Sequence, residues 1–151
     1  MQMEDILTPS RCLCAFEGHS KKRLFYNISE RIAEEVPGVD ADAVFHALMA
    51  REQLGSTGLG NGIAIPHCRV EGCSDVIGML VTLREPIDFD AMDDRPVDLL
   101  FFLVAPNVRD DDHVRTLASV ATLFNDEDFC FTLRNTSDVD DLYTVTVTYQ
   151  A

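Results

Sequence analysis

LLFFLVA at Leu99–Ala105 and VIGMLVTL at Val76–Leu83 are the stretches that decide the fold. Both are apolar almost without alternation and carry β-branched residues, a pattern that predicts strands buried on both faces. A sheet covered on both faces needs helices above and below it, so the sequence predicts an α/β fold with three layers, an α/β/α sandwich. Between the two runs, Ile87–Phe89 alternates and is predicted to form an edge strand.

Two helices are predicted before these strands. The first runs from about residue 21 to 36 with Ser20 as its N-cap. The second starts after Asp40, runs to about residue 54 and stops at Gly55. The short apolar stretch CLCAF at 12–16 is predicted to form a first strand.

The C-terminal third of the chain is predicted to be mainly helical. A helix is expected over 113–124 with Asp112 as its N-cap, and a shorter one over about 126–135. A third is expected to start after Ser137, which can cap it. The final stretch TVTVTY at 144–149 alternates Thr and Val, which favours a strand over a helix.

Composition narrows the class of partner. Lys and Arg number 12 against 26 Asp and Glu, a formal net charge of −14. Affinity for nucleic acid depends on Lys and Arg neutralising phosphates, so this balance argues against a nucleic-acid partner. The acidic surface either provides solubility or steers a basic partner protein.

The length, the N-terminus and the cysteines predict one cytoplasmic domain spanning residues 1–151. No apolar run reaches the roughly 18 residues that span a bilayer, so no membrane insertion is expected. The start, MQMEDILTPSR, does not resemble a signal peptide. The five cysteines are odd in number and match no zinc spacing, which predicts free thiols, no metal and no cofactor.

The most informative segment for function is residues 55–67, GSTGLGNGIAIPH. The four glycines of residues 55–62 are expected to make that part too flexible for a helix or a regular strand, and residues 63–66 are expected to be extended. The glycines let backbone N–H groups approach an anion, and neighbouring polar side chains add donors. It is neither a P-loop nor a dinucleotide fingerprint, because the Lys and the strand-to-helix context are missing. The predicted phosphoryl-binding residues are Ser56, Thr57, Gly58, Gly60, Asn61 and Gly62.

His67, which follows this segment, is the predicted nucleophile. A neutral imidazole is available near neutral pH, and Pro66 stiffens the backbone before it. The alternative is a structural turn followed by an ordinary histidine. Arg51 lies on the buried stripe of the second helix, and its cation has two choices. It can bind carbonyl groups at the helix end, or it can reach into the glycine-rich loop.

Three stretches resemble a known family. They are Arg51-Glu52 followed by GSTGLGNGIAIPH, then EPIDFDAMDDRPVDLLFFLVAP, and then DHVRTLASVATLF. Together they are similar to enzyme IIA of the fructose–mannitol class of the phosphotransferase system, most of all its nitrogen-regulatory branch (IIA-Ntr). The similarity covers about residues 21–143 in the right order. It implies a mixed central β-sheet between the helical layers.

The resemblance also implies a function. His67 matches the phosphorylated histidine, His113 a second histidine that orients or shields it, and Arg51 a cation that stabilises the phosphoryl charge. The donor would be the carrier protein HPr or NPr, and the chain would be a phosphotransferase-system component acting by regulation rather than metabolic turnover. It would regulate nitrogen- and potassium-related protein targets. The alternative is a fructose-type IIA that passes the phosphoryl group to a IIB component.

The sequence departs from the family pattern in places. Cys68 follows His67 where the family usually has Gly, and Arg115 stands where some members have a further histidine. His113 opens a helix, where the dipole disfavours imidazolium, while the acidic residues 110–112 favour it. Its charge, and the alternative of a surface histidine, stay open. A metal hydrolase using His67 and His113 is a third class, disfavoured because no H-E-x-x-H motif is present.

Overall fold

The computed structural model describes residues 2–108 and 112–150, and within them it shows helices packed on both faces of a mixed sheet. The strands are β1 (Cys12–Phe16), β2 (Gly58–Gly60), β3 (Ile63–Ala64), β4 (His67–Val70), β5 (Ile77–Ile87) and β6 (Val97–Pro106). The helices are α1 (Lys21–Glu35), α2 (Ala41–Gln53), α3 (Asp112–Phe124), α4 (Glu127–Arg134) and α5 (Val139–Thr148).

The sheet has the order β1-β5-β6-β3-β2, and β4 also pairs with β6. Strands β5 and β6 are antiparallel, whereas β1 runs parallel to β5 and both β3 and β4 run parallel to β6. The predicted mixed sheet is therefore confirmed. None of the helices in the described part of the chain has the length and apolar character needed to cross a membrane.

The stretch Leu99–Ala105 forms most of β6 and contributes side chains to two separate hydrophobic cores. Leu100 and Phe102 pack with α1 and α2 on one face, while Leu99 and Phe101 pack with α3, α4 and α5 on the other. All four are fully buried. The absence of polar alternation in this stretch is explained by these two apolar layers, and the three-layer sandwich is confirmed.

Strands β3 and β4 lie one after the other along the same edge of β6. Ile63 is paired with Leu99, and His67 with Leu103. Between the two strands lies Pro66, which has no N–H to donate to the ladder, although its carbonyl accepts from the Leu103 N–H at 2.9 Å. Ile65 and Pro66 thus separate β3 from β4, and the missing N–H of Pro66 interrupts the ladder just before His67, the first residue of β4.

The predicted helix caps are largely confirmed. Ser20 accepts a hydrogen bond from the Arg23 N–H at 3.2 Å, and Asp40 accepts one from the Ala43 N–H at 3.0 Å. The predicted cap at Asp112 and the acidic loop before it involve side chains outside the described residues.

Two predictions about the strands are wrong. Ile87 belongs to the end of β5, where it pairs with Val97 beyond an irregular register, and it does not start a separate edge strand. The glycine-rich stretch contains a short strand, because Gly58 and Gly60 pair with β3 across a tight turn.

The predicted C-terminal strand is also wrong, because residues 144–148 belong to α5. Thr146 is buried on the same face as Leu142, and its hydroxyl donates to the Leu142 carbonyl at 2.8 Å. Packing of this face against the second core outweighs the strand preference of Thr and Val. The helix is capped by Asp138, which accepts from two backbone N–H groups, and not by Ser137.

Candidate active site

A cavity of about 740 Å³ opens between the C-terminal half of α2, strand β4 and the start of α3. His67, Arg51 and His113 all line it, so the fold brings together the three residues with predicted catalytic roles. Its rim is apolar, and Leu54 and Val114 leave 85% and 55% of their surfaces exposed. The site is thus an open basin with cationic groups inside an apolar border.

The ring of His67 is held by the segment that precedes it. Its Nδ1 lies 2.9 Å from the carbonyl oxygen of Ile65. A carbonyl oxygen can only accept a hydrogen bond, so Nδ1 carries the proton and Nε2 carries the free lone pair. This leaves Nε2 as the ring nitrogen whose lone pair can act as a nucleophile.

The electrostatic surroundings keep His67 neutral. Burial is the largest cause that lowers its pKa below the ordinary value, and the positive charge of the nearby Arg51 lowers it further. The Ile65 carbonyl and the Glu52 carboxylate oppose this shift without cancelling it. A lowered pKa means that the neutral imidazole, the form able to attack, predominates at pH 7.

Arg51 reaches a residue that belongs to both of the alternatives that the sequence left open, because Gly55 follows the end of α2 and begins the glycine-rich loop. Its Nη1 donates to the carbonyl of Gly55, just beyond the end of α2, at 2.8 Å. The same side chain lines the cavity beside His67. One hydrogen bond thus fixes the guanidinium at the wall of the cavity, where its remaining N–H groups can reach a bound anion.

Arg69 is a site residue that the sequence reasoning missed. Its guanidinium is hydrogen-bonded to Nε2 of His113, and both residues line the cavity. Since a guanidinium only donates, Nε2 of His113 accepts and its proton lies on Nδ1. The signal was available, because Arg69 follows His67 by two residues on β4 and therefore projects from the same face.

The charge of the cavity differs from that of the whole chain. Among the described residues that line it are two arginines and two histidines, and none is an acid. The chain as a whole carries 26 acidic against 12 basic residues. A concave site with this lining attracts anions, and its guanidinium groups match the oxygens of a phosphoryl group.

A buried carboxylate ties the site to the rest of the fold. Glu52 accepts from Lys21 Nζ at 2.8 Å, and the two side chains are only 4% and 18% exposed. The other carboxylate oxygen accepts from the backbone N–H and the hydroxyl of Thr57. This network joins the start of α1, the end of α2 and the glycine-rich stretch. Glu52 is part of the stretch that carries the family resemblance, but no pattern in the sequence indicated that its carboxylate is buried.

The other predicted phosphoryl-binding residues lie elsewhere. Gly60, Asn61 and Gly62 all have positive φ and form the turn between β2 and β3. An added Cβ at Gly62 would lie 2.8 Å from Arg134 Nη2 and 3.0 Å from Asp98 Oδ1. In the described part of the chain, no residue of 55–62 is among those that line the His67 cavity.

Ser56 and Gly58 also make local contacts. The Ser56 hydroxyl accepts from the Gly58 N–H at 3.0 Å and lies 3.4 Å from the Phe89 carbonyl. At Gly58 an added Cβ would lie 3.0 Å from the Cβ of Ala91. These contacts give the stretch a role in shaping the backbone that leads to His67.

The thiol beside His67 is held in its protonated form near neutral pH. Burial is the main cause that raises the pKa of Cys68 to about 12, with a smaller contribution from Cys73. Only the thiolate is a good nucleophile or metal ligand. Within residues 2–108 and 112–150, no cluster of three or more His, Cys, Asp or Glu side chains is placed to hold a metal ion.

Comparison with known proteins identifies the family. Residues 5–146 match the model of the EIIA 2 domain of the phosphoenolpyruvate-dependent sugar phosphotransferase system. A nitrogen regulatory protein from Pseudomonas aeruginosa is 44% identical over 150 residues, which cover 99% of this chain and 97% of that protein.

Solved structures agree with this match. The nitrogen regulatory protein IIA-Ntr from Neisseria meningitidis superimposes with a TM-score of 0.88 at 36% identity, over 94% of this chain and 97% of that one. The mannitol IIA enzyme of Escherichia coli, solved in complex with phosphorylated IIB, shares the fold with a TM-score of 0.76 at 20% identity. That match covers 95% of this chain and 98% of the other. The chain therefore belongs to the EIIA type 2 family of phosphotransferase-system components.

Proposed function

We propose that this chain is a cytoplasmic phosphocarrier that accepts a phosphoryl group on Nε2 of His67 from the phosphohistidine of HPr or NPr. One observation carries the proposal. The ring of His67 is neutral, and its Nδ1–H donates to the Ile65 carbonyl. It lies in a cavity that two arginines line, and none of the lining residues that the structure describes is an acid. Such a site combines a nucleophile with stabilisation of phosphoryl charge.

The bonds that form and break in the transfer involve only two histidine rings, that of His67 and that of the donor's phosphohistidine. The lone pair of His67 Nε2 attacks the phosphorus of the donor's phosphohistidine in line, so an Nε2–P bond forms while the donor's N–P bond breaks. The electron pair of the broken bond stays on the donor's ring nitrogen. The Nδ1 proton of His67 stays on Nδ1 throughout, and its hydrogen bond to the Ile65 carbonyl helps to disperse the positive charge that develops on the ring.

Arg51 and Arg69 neutralise the phosphoryl oxygens in this mechanism, and His113 orients or shields the group. Arg69 positions His113, because their hydrogen bond fixes which nitrogen of His113 carries the proton. Long-range ¹H–¹⁵N spectra should therefore show an Nδ1–H tautomer of His113 that is lost in Arg69→Met. The role predicted for residues 56–62 in binding phosphoryl oxygens stays a prediction, and their contacts here favour a backbone role.

A protein donor fits the shape of the site. The cavity is open, and its rim exposes Leu54 and Val114, which could pack against a partner's apolar surface. The mannitol relative was solved with a phosphorylated protein partner, so a docked protein is compatible with this fold. A small-molecule donor would leave these rim side chains without a function.

The test is phosphoryl uptake measured by intact-protein mass spectrometry. Incubation with phosphorylated HPr or NPr should add one phosphoryl group to the native chain and none to His67→Ala. His46→Ala is the matched control, since this exposed histidine on α2 binds the Asp42 carbonyl and does not line the cavity. Equal uptake by His67→Ala, or loss of uptake in His46→Ala, would contradict the proposal.

A second candidate role is regulation by phosphorylation. Similarity to nitrogen regulatory proteins supports it, and the targets would be nitrogen- and potassium-related proteins. A phosphoryl group on His67 would largely cancel the positive charge of the two arginines in the cavity and so change which surfaces can dock there. The competing role is a fructose-type IIA that passes the group to a IIB component.

Two measurements separate these roles. Faster phosphorylation by NPr than by HPr favours the nitrogen-regulatory role, and efficient transfer onward to a IIB domain favours the sugar role. Affinity capture with native and phosphorylated protein then tests the switch. Identical partner sets in both states would argue against regulation.

A further inference from the structure

The charges on α1 run against the helix dipole. Residues 21–23 read KKR in its first turn, while Glu34 and Glu35 lie in its last turn. The dipole favours acids at the start of a helix and bases at its end. Helices α2 and α4 follow that preference. The basic start of α1 therefore weakens the helix, and it calls for another explanation.

The fold explains only one of these three cations. Lys21 pairs with the buried Glu52 and lies 4.2 Å from the ring centroid of Phe89. Lys22 and Arg23 are both exposed, and their side chains make no hydrogen bond or ion pair with any other residue that the structure describes. Two positive charges are thus available to a partner at this surface.

Aromatic side chains lie directly beside the two free cations. Tyr26 is 47% exposed, and its ring contacts that of Phe45 edge-on with centroids 5.7 Å apart. A surface cavity of about 330 Å³ lies here between α1 and α2, lined by Ser20, Lys22, Arg23, Tyr26 and Phe45. We name this cavity the α1–α2 groove. It offers an apolar floor with two cations at its edge.

Another surface with two arginines shows why the α1–α2 groove differs. Arg95 and Arg134 lie near the exposed apolar side chains of Leu59 and Phe131. There, however, Arg134 pairs with Asp98, and Arg95 donates to the side-chain oxygen of Asn61. Those cations serve the fold, whereas the ones at the α1–α2 groove are unpaired.

We propose that the α1–α2 groove binds an acidic peptide segment of a partner protein. Carboxylates of the segment pair with Lys22 and Arg23, and an apolar side chain between them packs on Tyr26 and Phe45. Ionic screening over about 8 Å at physiological salt lets these local cations act despite the net charge of −14.

Other occupants fit the groove less well. A symmetric contact with a second copy would place like charges face to face. A nucleic acid needs many more phosphate contacts than two cations can supply. An acidic peptide with one apolar residue matches both the charge and the aromatic floor.

The groove is separate from the His67 cavity. Phe45 faces α1, whereas Ala47, Ala50 and Arg51 of the same helix line the other cavity. Binding of the peptide should therefore not depend on His67 or on its phosphorylation. The proposal stands independently of the phosphocarrier function.

The experiment uses a short fluorescein-labelled peptide in which Glu and Asp flank a single Phe, with a Gln and Asn version as control. Fluorescence anisotropy on the full chain should show binding of the acidic peptide that weakens as salt rises. The double variant Lys22→Glu, Arg23→Glu should abolish binding, and Tyr26→Ala should weaken it about tenfold. Arg31→Glu, a single charge reversal further along α1, should bind within about twofold of the native chain.

Each alternative outcome overturns the proposal. Native affinity in the double variant would show that the peptide does not bind in the α1–α2 groove. Equal binding of the Gln and Asn peptide would show that binding does not depend on the peptide's carboxylates. Loss of binding in His67→Ala would place the peptide in the other cavity. Binding only to anionic lipid vesicles would replace the protein partner by a membrane. The double variant should stay folded with a raised melting temperature, since Glu in the first turn suits the dipole.

Discussion

In the His67 cavity the guanidinium groups of Arg51 and Arg69 pair with no carboxylate that the structure describes, whereas at the turn around Gly62 the nearest arginine, Arg134, is held in an ion pair. Arg134 bonds to Asp98 at 2.9 Å and donates to the Asn61 carbonyl at 2.8 Å. The first region keeps its positive charge available, and the second uses it to hold a turn.

This difference teaches that one continuous motif can contain two physically separate tasks. Proximity in sequence suggested that the glycines and the histidine share an anion site, but β3 and Pro66 lie between them and carry the two groups apart. We therefore expect substitutions in the two regions to affect different properties. Changes in the His67 cavity should lower the transfer rate, and changes at the turn around Gly62 should lower the free energy of unfolding.

The largest effect is expected for Arg51→Gln. Removing one preorganised cation from a site that stabilises developing charge lowers a rate by about 10²–10³-fold. The free energy of unfolding should fall by less than about 1 kcal/mol, because only the bond to the Gly55 carbonyl is lost. Stopped-flow phosphoryl uptake and urea unfolding measure the two quantities, with Arg31→Gln as the control. A native rate of phosphoryl uptake in Arg51→Gln would contradict the assignment of charge stabilisation to the His67 cavity.

Glu52→Gln should affect both regions, since Glu52 links α2 to Thr57. The substitution leaves Lys21 without its counter-charge in a largely buried position, at a cost of about 3 kcal/mol in unfolding free energy. It also removes a negative charge that raises the pKa of His67, so that pKa should fall further. Urea unfolding and NMR titration of His67 test this, with the exposed Glu30→Gln as the control. Unchanged stability would show that the network contributes little.

The layers of the fold were predictable from the sequence for a simple reason. An apolar stretch as long as Leu99–Ala105 has to be covered on both faces, whatever the rest of the chain does. The caps at Ser20 and Asp40 are equally local, because a single side chain satisfies a nearby N–H. In contrast, the C-terminal helix depends on burying Leu142 and Thr146 against distant elements, which the alternation of Thr and Val conceals.

In the candidate site, too, some residues could be predicted from the sequence and others could not. His67, Arg51 and His113 were predicted, and they line one cavity. Arg69 follows from strand periodicity once His67 is placed on β4. The structural role of the glycines could not be predicted, because positive φ values occur both in an anion-binding nest and in a tight turn. The contacts of Gly62 with Asp98 and Arg134 favour the tight turn.

A smaller effect, on stability alone, is expected for Gly62→Ala. The φ of +80° at this residue disfavours a side chain, and the new Cβ would press against Arg134 and Asp98. We expect a loss of about 2 kcal/mol in unfolding free energy. Phosphoryl uptake per folded molecule should match the native chain. A large loss of rate in the folded variant would instead support the predicted phosphoryl-binding role of the glycine turn.

The smallest effect concerns pH, and it separates the two regions by the window in which each titrates. The pKa of His67 is lowered mainly by burial, whereas the unfolded chain binds a proton there near pH 6.5. As the pH falls from about 6.5 towards the folded pKa, the unfolded state binds more protons, and stability is lost. Above that window His67 contributes no pH dependence. His67→Gln should remove this slope, with His46→Gln as the control.

At the turn the titrating group is Asp93, and its window lies lower. Backbone N–H groups of Asn61 and Arg95 lower the pKa of this exposed carboxyl. Its contribution is complete above about pH 4 and is lost as the pH falls through the folded pKa, so Asp93→Asn should alter only the acid side of the curve. Unfolding followed by circular dichroism across pH measures both slopes. If His67→Gln and Asp93→Asn changed the same pH range, the two regions would be coupled, and the distinction between chemistry and turn geometry would fail.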